Sequence, residues 1–326
     1  MESGFPVGAV TLSRPKDAVT LPAIIADAGE QASRRFMEFF TANIRNRNTR
    51  AAYAHAVGLF CDWCESRGLN LNQLSPIAVA AYIEQMTGSH AAPTVKQHLA
   101  AIRMLCDWLV IGQVIPNNPA ASVRGPKHVV KKGKTLVLSA EQARTLLDSI
   151  DISSLVGLRD RALIAVMVYS FARVSAVINM NVEDYWQNGK RWWLRLHEKG
   201  GKHHEVPAHH NAEAYLDAYV QAAGISEALK TPLFRSAERK TGRLTNRRVD
   251  RRNVLDMVKR RGKEAGLPSR TCCHSFRATG ITAYLENGGT IENAQAIAAH
   301  ESPRTTKLYD RTSDDITLDE IEKIVI

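Results

Sequence analysis

Three prolines and two glycines interrupt one short basic stretch: Pro116, Pro119, Gly125, Pro126 and Gly133 stand among Arg124, Lys127, Lys131, Lys132 and Lys134. A proline has no backbone N–H to give and pushes its predecessor out of the helical region, so no long helix or central strand is expected here. Residues 116–134 read as a polar linker, with the domain boundary near residue 130. A core is expected on either side, since 326 residues exceed what a single one typically serves.

Residues 1–31 carry Pro6, Pro15 and Pro22 without sustained periodicity and read as a flexible arm. Residues 32–115 turn helical. Phe36, Phe39 and Phe40 share a face, and a helix beginning at Asn48-Thr49 presents Ala52, Ala56, Leu59, Phe60 and Trp63. Ser75-Pro76 opens another with Val79, Tyr82, Ile83 and Met86 inward, and Pro93-Thr94 precedes a fourth bearing Val95, Leu99, Ile102, Cys106 and Leu109. This unit is a helical bundle. Arg47 and Arg50 at a helix start, with Lys96 and Arg103 on one face of the last helix, are candidates for phosphate contact.

The second unit, 135–326, mixes both element types. Ser139 caps a helix through Leu147, and residues 159–169 form an almost wholly apolar helix that must be buried. At its exit stands Arg173, which must pair with a carboxylate or wait for an anion. Residues 193–198 alternate like a strand, Lys199-Gly200-Gly201-Lys202 supplies a hairpin turn, and Glu205-Val206-Pro207 begins the return, giving a small antiparallel sheet. A helix capped by Asn211 follows. Residues 246–265 then read as a helix crowded with Arg247, Arg248, Arg251, Arg252, Lys259, Arg260 and Arg261, packing through Val254, Leu255 and Val258. So much like charge calls for a polyanion.

Lys plus Arg is 43 against 33 acidic residues, a formal net charge of +10, which favours nucleic acid over an acidic membrane as partner. No apolar run approaches a membrane span, the start lacks the regions of a signal peptide, and five cysteines lack disulfide-like spacing. An intracellular, cytoplasmic protein is expected. Cys61-Asp62-Trp63-Cys64 has no second pair for zinc, and Cys272-Cys273, His203-His204 and His209-His210 set neighbours where one ion cannot easily take both, so no metal is expected.

The densest chemistry lies between His274 and Tyr309. His274 and Arg277 are three apart on a helical run, so both leave one face. Gly288-Gly289 ends that helix, Thr290 caps the next, which leads to His300, and Ser302-Pro303 starts a short helix carrying Tyr309 near its end. A guanidinium, two imidazoles and a phenol thus converge. They suit a phosphodiester: the guanidinium fork matches two non-bridging oxygens, and a phenol needs neighbouring positive charge or a base before it attacks.

Arg173, Lys199 on a glycine-rich hairpin, His274-x-x-Arg277, His300 and Tyr309, in that order behind a basic helical unit, resemble the tyrosine recombinase or phage integrase family over residues 32–326. The resemblance implies a mainly α, multidomain protein: an N-terminal helical SAM-like core-binding domain and an α+β DNA breaking-rejoining domain that clamp double-stranded DNA, four protomers acting on two sites through a Holliday junction. It implies that Tyr309 attacks the scissile phosphate, leaving a 3′-phosphotyrosyl link, without metal, nucleotide or other cofactor. Arg173 and Arg277 would hold the non-bridging oxygens, His300 would add a donor, His274 would serve Tyr309 as acid and base, and Lys199 would protonate the leaving 5′-oxygen, with Lys202 its competitor. Lys131, Lys132, Lys202, Arg247, Arg248 and Arg251 join the candidate DNA contacts.

Two positions depart from the family pattern. Ala176 stands where an acid usually follows the first arginine, so support for Arg173 must come from elsewhere, and Phe171-Ala172 replaces the usual Gly-Leu. Residues 316–326 repeat Ile and Leu at helical spacing, and the resemblance implies that this tail docks on a neighbouring protomer. A type IB topoisomerase-like enzyme, acting alone, and a catalytically silent DNA-binding regulator are the alternatives.

Overall fold

The computed structural model describes residues 20–130, 133–198, 203–238 and 240–310. The chain divides between Val129 and Val130 into two units, each with its own core.

The first unit is helical: α1 (Ala23–Ala26), α2 (Glu30–Glu38), α3 (Arg47–Glu65), α4 (Pro76–Ser89) and α5 (Ala92–Ile111). Asn46, not Asn48, caps α3, its side chain accepting from the backbone of Asn48 and Thr49, while Ser75 caps α4 with Pro76 in the first turn. Phe36, Phe39 and Phe40 form an edge-to-face aromatic centre against α5 residues Ile102 and Leu109. Two boundaries move. Ile24 and Ile25, expected in the arm, are buried in this core, and Ile24 donates its backbone N–H to Glu65 Oε1 at 2.9 Å. Ala120 and Val123 of the expected linker also pack into it. Arg103 donates to the carbonyls of Ala120 and Val123, satisfying backbone that the prolines leave outside any regular element.

The second unit opens with α6 (Ala140–Asp148), whose Ser139 and Gln142 form a capping box, and α7 (Leu155–Tyr169), in which residues 162–167 are wholly buried. Then come α8 (Val174–Ile178) and an antiparallel sheet of β1 (Tyr185–Asn188), β2 (Arg191–His197) and β3 (His203–Pro207), in that spatial order. Strand β1 went unread in the sequence because it is short and half exposed. Helix α9 (His210–Ala223) is capped by His209 rather than Asn211. A second hairpin, β4 (Arg235–Ala237) and β5 (Leu244–Arg248), precedes α10 (Arg251–Glu264). The expected helix over 246–265 therefore begins late: Leu244–Arg248 pairs with β4, and Asp250 caps α10 by accepting from Asn253 N at 2.9 Å. Leu255 is exposed, and Met257 joins Val254 and Val258 in the core.

Part of the like charge of α10 is relieved inside the protein. Asp160 on α7 is fully buried and accepts from Arg159 at 2.7 Å, Arg261 at 3.1 Å and Arg260 at 3.4 Å. A polyanion is thus not the sole explanation of that cluster.

Helix α11 (Cys273–Glu286) runs through the middle of the unit, followed by α12 (Ile291–Ile297) and α13 (Pro303–Lys307). Thr290 and Ser302 cap the last two, as expected. Gly280 lets α11 approach the end of α7, because a Cβ there would lie 2.1 Å from the Val168 carbonyl oxygen. That close approach brings His274 and Arg277 beside the 171–173 turn.

Candidate active site

Arg277 is 1% exposed, and its guanidinium stitches two loops together. Nη1 donates to the Phe171 carbonyl and Nη2 to the Ala298 carbonyl at 2.7 Å. Both loops hold a non-glycine residue in the left-handed region, Phe171 at φ 54° and Ala299 at φ 48°. One turn delivers Arg173 and the other His300. Phe171 thus adopts the conformation that the glycine of the family pattern would take freely, and its ring is held by Ala278, Ile281 and Leu285 of α11.

Tyr309 follows α13 and is anchored by its backbone: Thr282 Oγ1 donates to its carbonyl at 2.8 Å. Its hydroxyl lies 2.7 Å from His274 Nε2, and its ring stacks parallel to His300 with centroids 5.9 Å apart. His300 is held in turn by Thr306 Oγ1, 2.8 Å from Nδ1. The phenol therefore sits in the pocket of its own subunit. Arg173 pairs with Glu198 at 2.6 Å, the carboxylate coming from the end of β2.

The protonation states suit a nucleophile waiting for substrate. His274 keeps an exposed edge, yet desolvation of the part of the ring that faces the pocket, then the charges of Arg277 and Arg173, hold it below the usual histidine range, so at neutral pH its Nε2 is free to accept the phenol proton. Burial raises the Tyr309 phenol, while Arg277 and Arg173 pull it back down. Arg277 itself is lowered by burial and by Arg173 to about 10, still cationic at neutral pH.

His300 is pushed down to about 3, first by burial and then by Arg277, Arg173 and His274. Between its ordinary 6.5 and 3, the unfolded chain takes a proton that the folded chain refuses, so this stability is present above pH 6.5 and lost as pH falls. Urea denaturation across that interval should show midpoints falling with pH, and His300→Asn should flatten the slope. An unchanged slope in the variant would place the acid sensitivity elsewhere.

Five of the six residues singled out for catalysis, Arg173, His274, Arg277, His300 and Tyr309, are thus gathered in one region; Lys199 lies outside the described residues. So do Lys131, Lys132 and Lys202 among the expected DNA contacts. Three others are engaged within the fold. Arg103 holds the segment after α5, Arg50 donates Nε and Nη2 to the Ile44 carbonyl, and Arg248 donates to the Ile178 and Met180 carbonyls and to Asn181 Oδ1. Each satisfies carbonyls that a helix end or loop leaves open, which no local pattern reveals. Arg47, Lys96, Arg247 and Arg251 are exposed. The sequence reading missed Glu198, Thr282 and Thr306, whose partners lie far along the chain or on another element.

A phenol set against an imidazole and flanked by guanidinium groups defines a class: phosphoryl transfer through a covalent tyrosyl intermediate. Comparison with known proteins agrees. Residues 137–315 match the phage integrase family and residues 35–112 its N-terminal SAM-like domain, so the chain belongs to that family. Tyrosine recombinase XerC of Chlamydia muridarum is 30% identical over 231 residues, 71% of this chain and 70% of that one. XerC of Myxococcus xanthus is 28% identical over 251 residues, covering 75% and 80%. The activity class is that of a site-specific tyrosine recombinase. XerH bound to its difH substrate before cleavage shares the fold at a TM-score of 0.65 and 16% identity, over 97% of both chains. A lambda integrase dimer bound to a COC′ core site does so at 0.64 and 18%, over 87% and 79%.

Proposed function

We propose that Tyr309 attacks the scissile phosphodiester from within its own subunit. The observation that carries this is the 2.7 Å contact between its hydroxyl and His274 Nε2. His274 takes the phenol proton as the Tyr309 oxygen bonds to phosphorus, and the bond to the 5′-oxygen breaks. A 3′-phosphotyrosyl link and a free 5′-hydroxyl result, the latter protonated by Lys199, with Lys202 next in line. Arg173 and Arg277 stabilise the non-bridging oxygens as charge builds, and His300 adds a donor. Because the phosphotyrosyl bond is itself a phosphodiester, a 5′-hydroxyl from a second duplex can reverse the step and exchange strands.

On this reading the protein acts on double-stranded DNA as a homotetramer spanning two sites and passing through a Holliday junction, in the cytoplasm. Among its neighbours of similar fold is a lambda integrase tetramer bound to a Holliday junction. Exposed Arg47, Lys96, Arg247 and Arg251 are the proposed phosphate contacts, and residues 316–326, which lie outside the described residues, are the segment proposed to dock on the adjacent protomer. The test is incubation with genomic fragments and nicked duplexes in chelator. A covalent adduct whose DNA-linked peptide contains Tyr309 is expected, together with strand exchange between two captured sites. Adduct formation that needs magnesium would overturn the mechanism, and relaxation without exchange would favour a topoisomerase.

A further inference from the structure

Arg173 is the least enclosed of the pocket's two guanidinium groups, its side chain 37% exposed at the N-terminal edge of α8. An arginine so placed samples many rotamers, yet a fork that grips two non-bridging oxygens must hold one plane. No acid is available on its own helix, where Ala176 one turn on is fully buried. The carboxylate comes from a different element. Glu198, 25 residues away in sequence and at the end of β2, accepts from Arg173 Nη1 at 2.6 Å with its own side chain only 6% exposed. An acid buried at a strand end has no reason to stand there for solubility, and its charge also reaches Arg277, raising its proton affinity.

We infer that Glu198 is a positioning residue for strand cleavage: it locks the Arg173 guanidinium in the plane that receives the scissile phosphate, in place of an acid on α8. It engages Nη1, so the remaining donors of the fork are not spent on this carboxylate. The carboxylate touches neither phosphate nor leaving group and acts only through Arg173. The inference rests on the recombinase reading above.

The test compares wild type, Glu198→Gln and Glu198→Asp in single-turnover cleavage of a suicide duplex carrying the site recovered by covalent capture. Each is also assayed on a duplex whose scissile phosphate bears a methyl group in place of one non-bridging oxygen. Glu198→Gln should slow adduct formation on the phosphodiester by about 10- to 100-fold, the size expected of a misplaced binding group, with duplex affinity unchanged. On the methylphosphonate the deficit should shrink to about threefold or less, because the fork has lost one of its two oxygens. Glu198→Asp, which keeps the charge, should recover about tenfold of any loss. A merely structural defect would slow both substrates alike, and that result overturns the inference, as does a Gln variant as fast as wild type. Should Glu198→Gln fail to fold, the Asp variant takes the same comparison: its shorter reach must cost more on the phosphodiester than on the methylphosphonate. Wild-type protein that forms no adduct on any DNA would instead overturn the recombinase reading itself.

Discussion

Tyr309→Phe is expected to bind its DNA with wild-type affinity and to form no covalent adduct at all. The substitution removes a single oxygen from a side chain 6% exposed, leaves its stacking on His300 in place, and keeps the backbone anchor from Thr282. The bond to His274 Nε2 is lost together with the phenol's contact to Arg277, and His274 is exposed enough to turn to water. Stability should therefore change by no more than about 1 kcal/mol, the usual net worth of such a bond. Denaturing gels would report the adduct and equilibrium binding the affinity. A phenylalanine variant that still becomes linked to DNA would mean another nucleophile, and the geometry around Tyr309 would lose its meaning.

Arg277→Lys should be damaging twice over. An ammonium is a point charge and cannot serve the Phe171 and Ala298 carbonyls while facing a phosphate between them. Losing the transition-state donor should slow cleavage by about 10²- to 10³-fold. Leaving buried carbonyls without partners should cost about 1–3 kcal/mol for each one stranded. The same change at half-exposed Arg173 should cost comparable rate with a smaller loss of stability, since its partner there is a side chain rather than two strained turns. Urea denaturation and single-turnover cleavage on both variants separate these effects. An Arg277→Lys protein as stable as wild type would show that the two loops hold their left-handed turns unaided.

Local signals in the chain were readable because their causes are local. Ser75, Ser139, Thr290 and Ser302 cap the helices they precede, since a short oxygen side chain reaches the N–H groups two or three positions on whatever surrounds it. The buried run of α7 and the β2–β3 hairpin strands were legible for the same reason: side-chain periodicity is set within the element. Misplaced boundaries fell where partners are distant. Residues 246–248 were read as the start of a helix from their composition, yet pairing with β4 places them in a strand. Ile24 and Val123 lie in stretches with the look of arm and linker but find a core to enter.

Within the pocket the same division holds. The residue types and their order along the chain, two arginines, two histidines and a tyrosine, were determined by the sequence alone, and with them the class of chemistry. Tertiary structure decided which of the basic residues remain available. Arg50, Arg103 and Arg248 turn inward to backbone carbonyls, and Arg277 bridges loops 106 and 21 residues away. It also decided that Glu198 rather than a neighbour on α8 supports Arg173. A guanidinium is drawn to whatever acceptor the folded chain brings within about 3 Å. That distance is fixed by packing between elements, and spacing within one element carries no record of it.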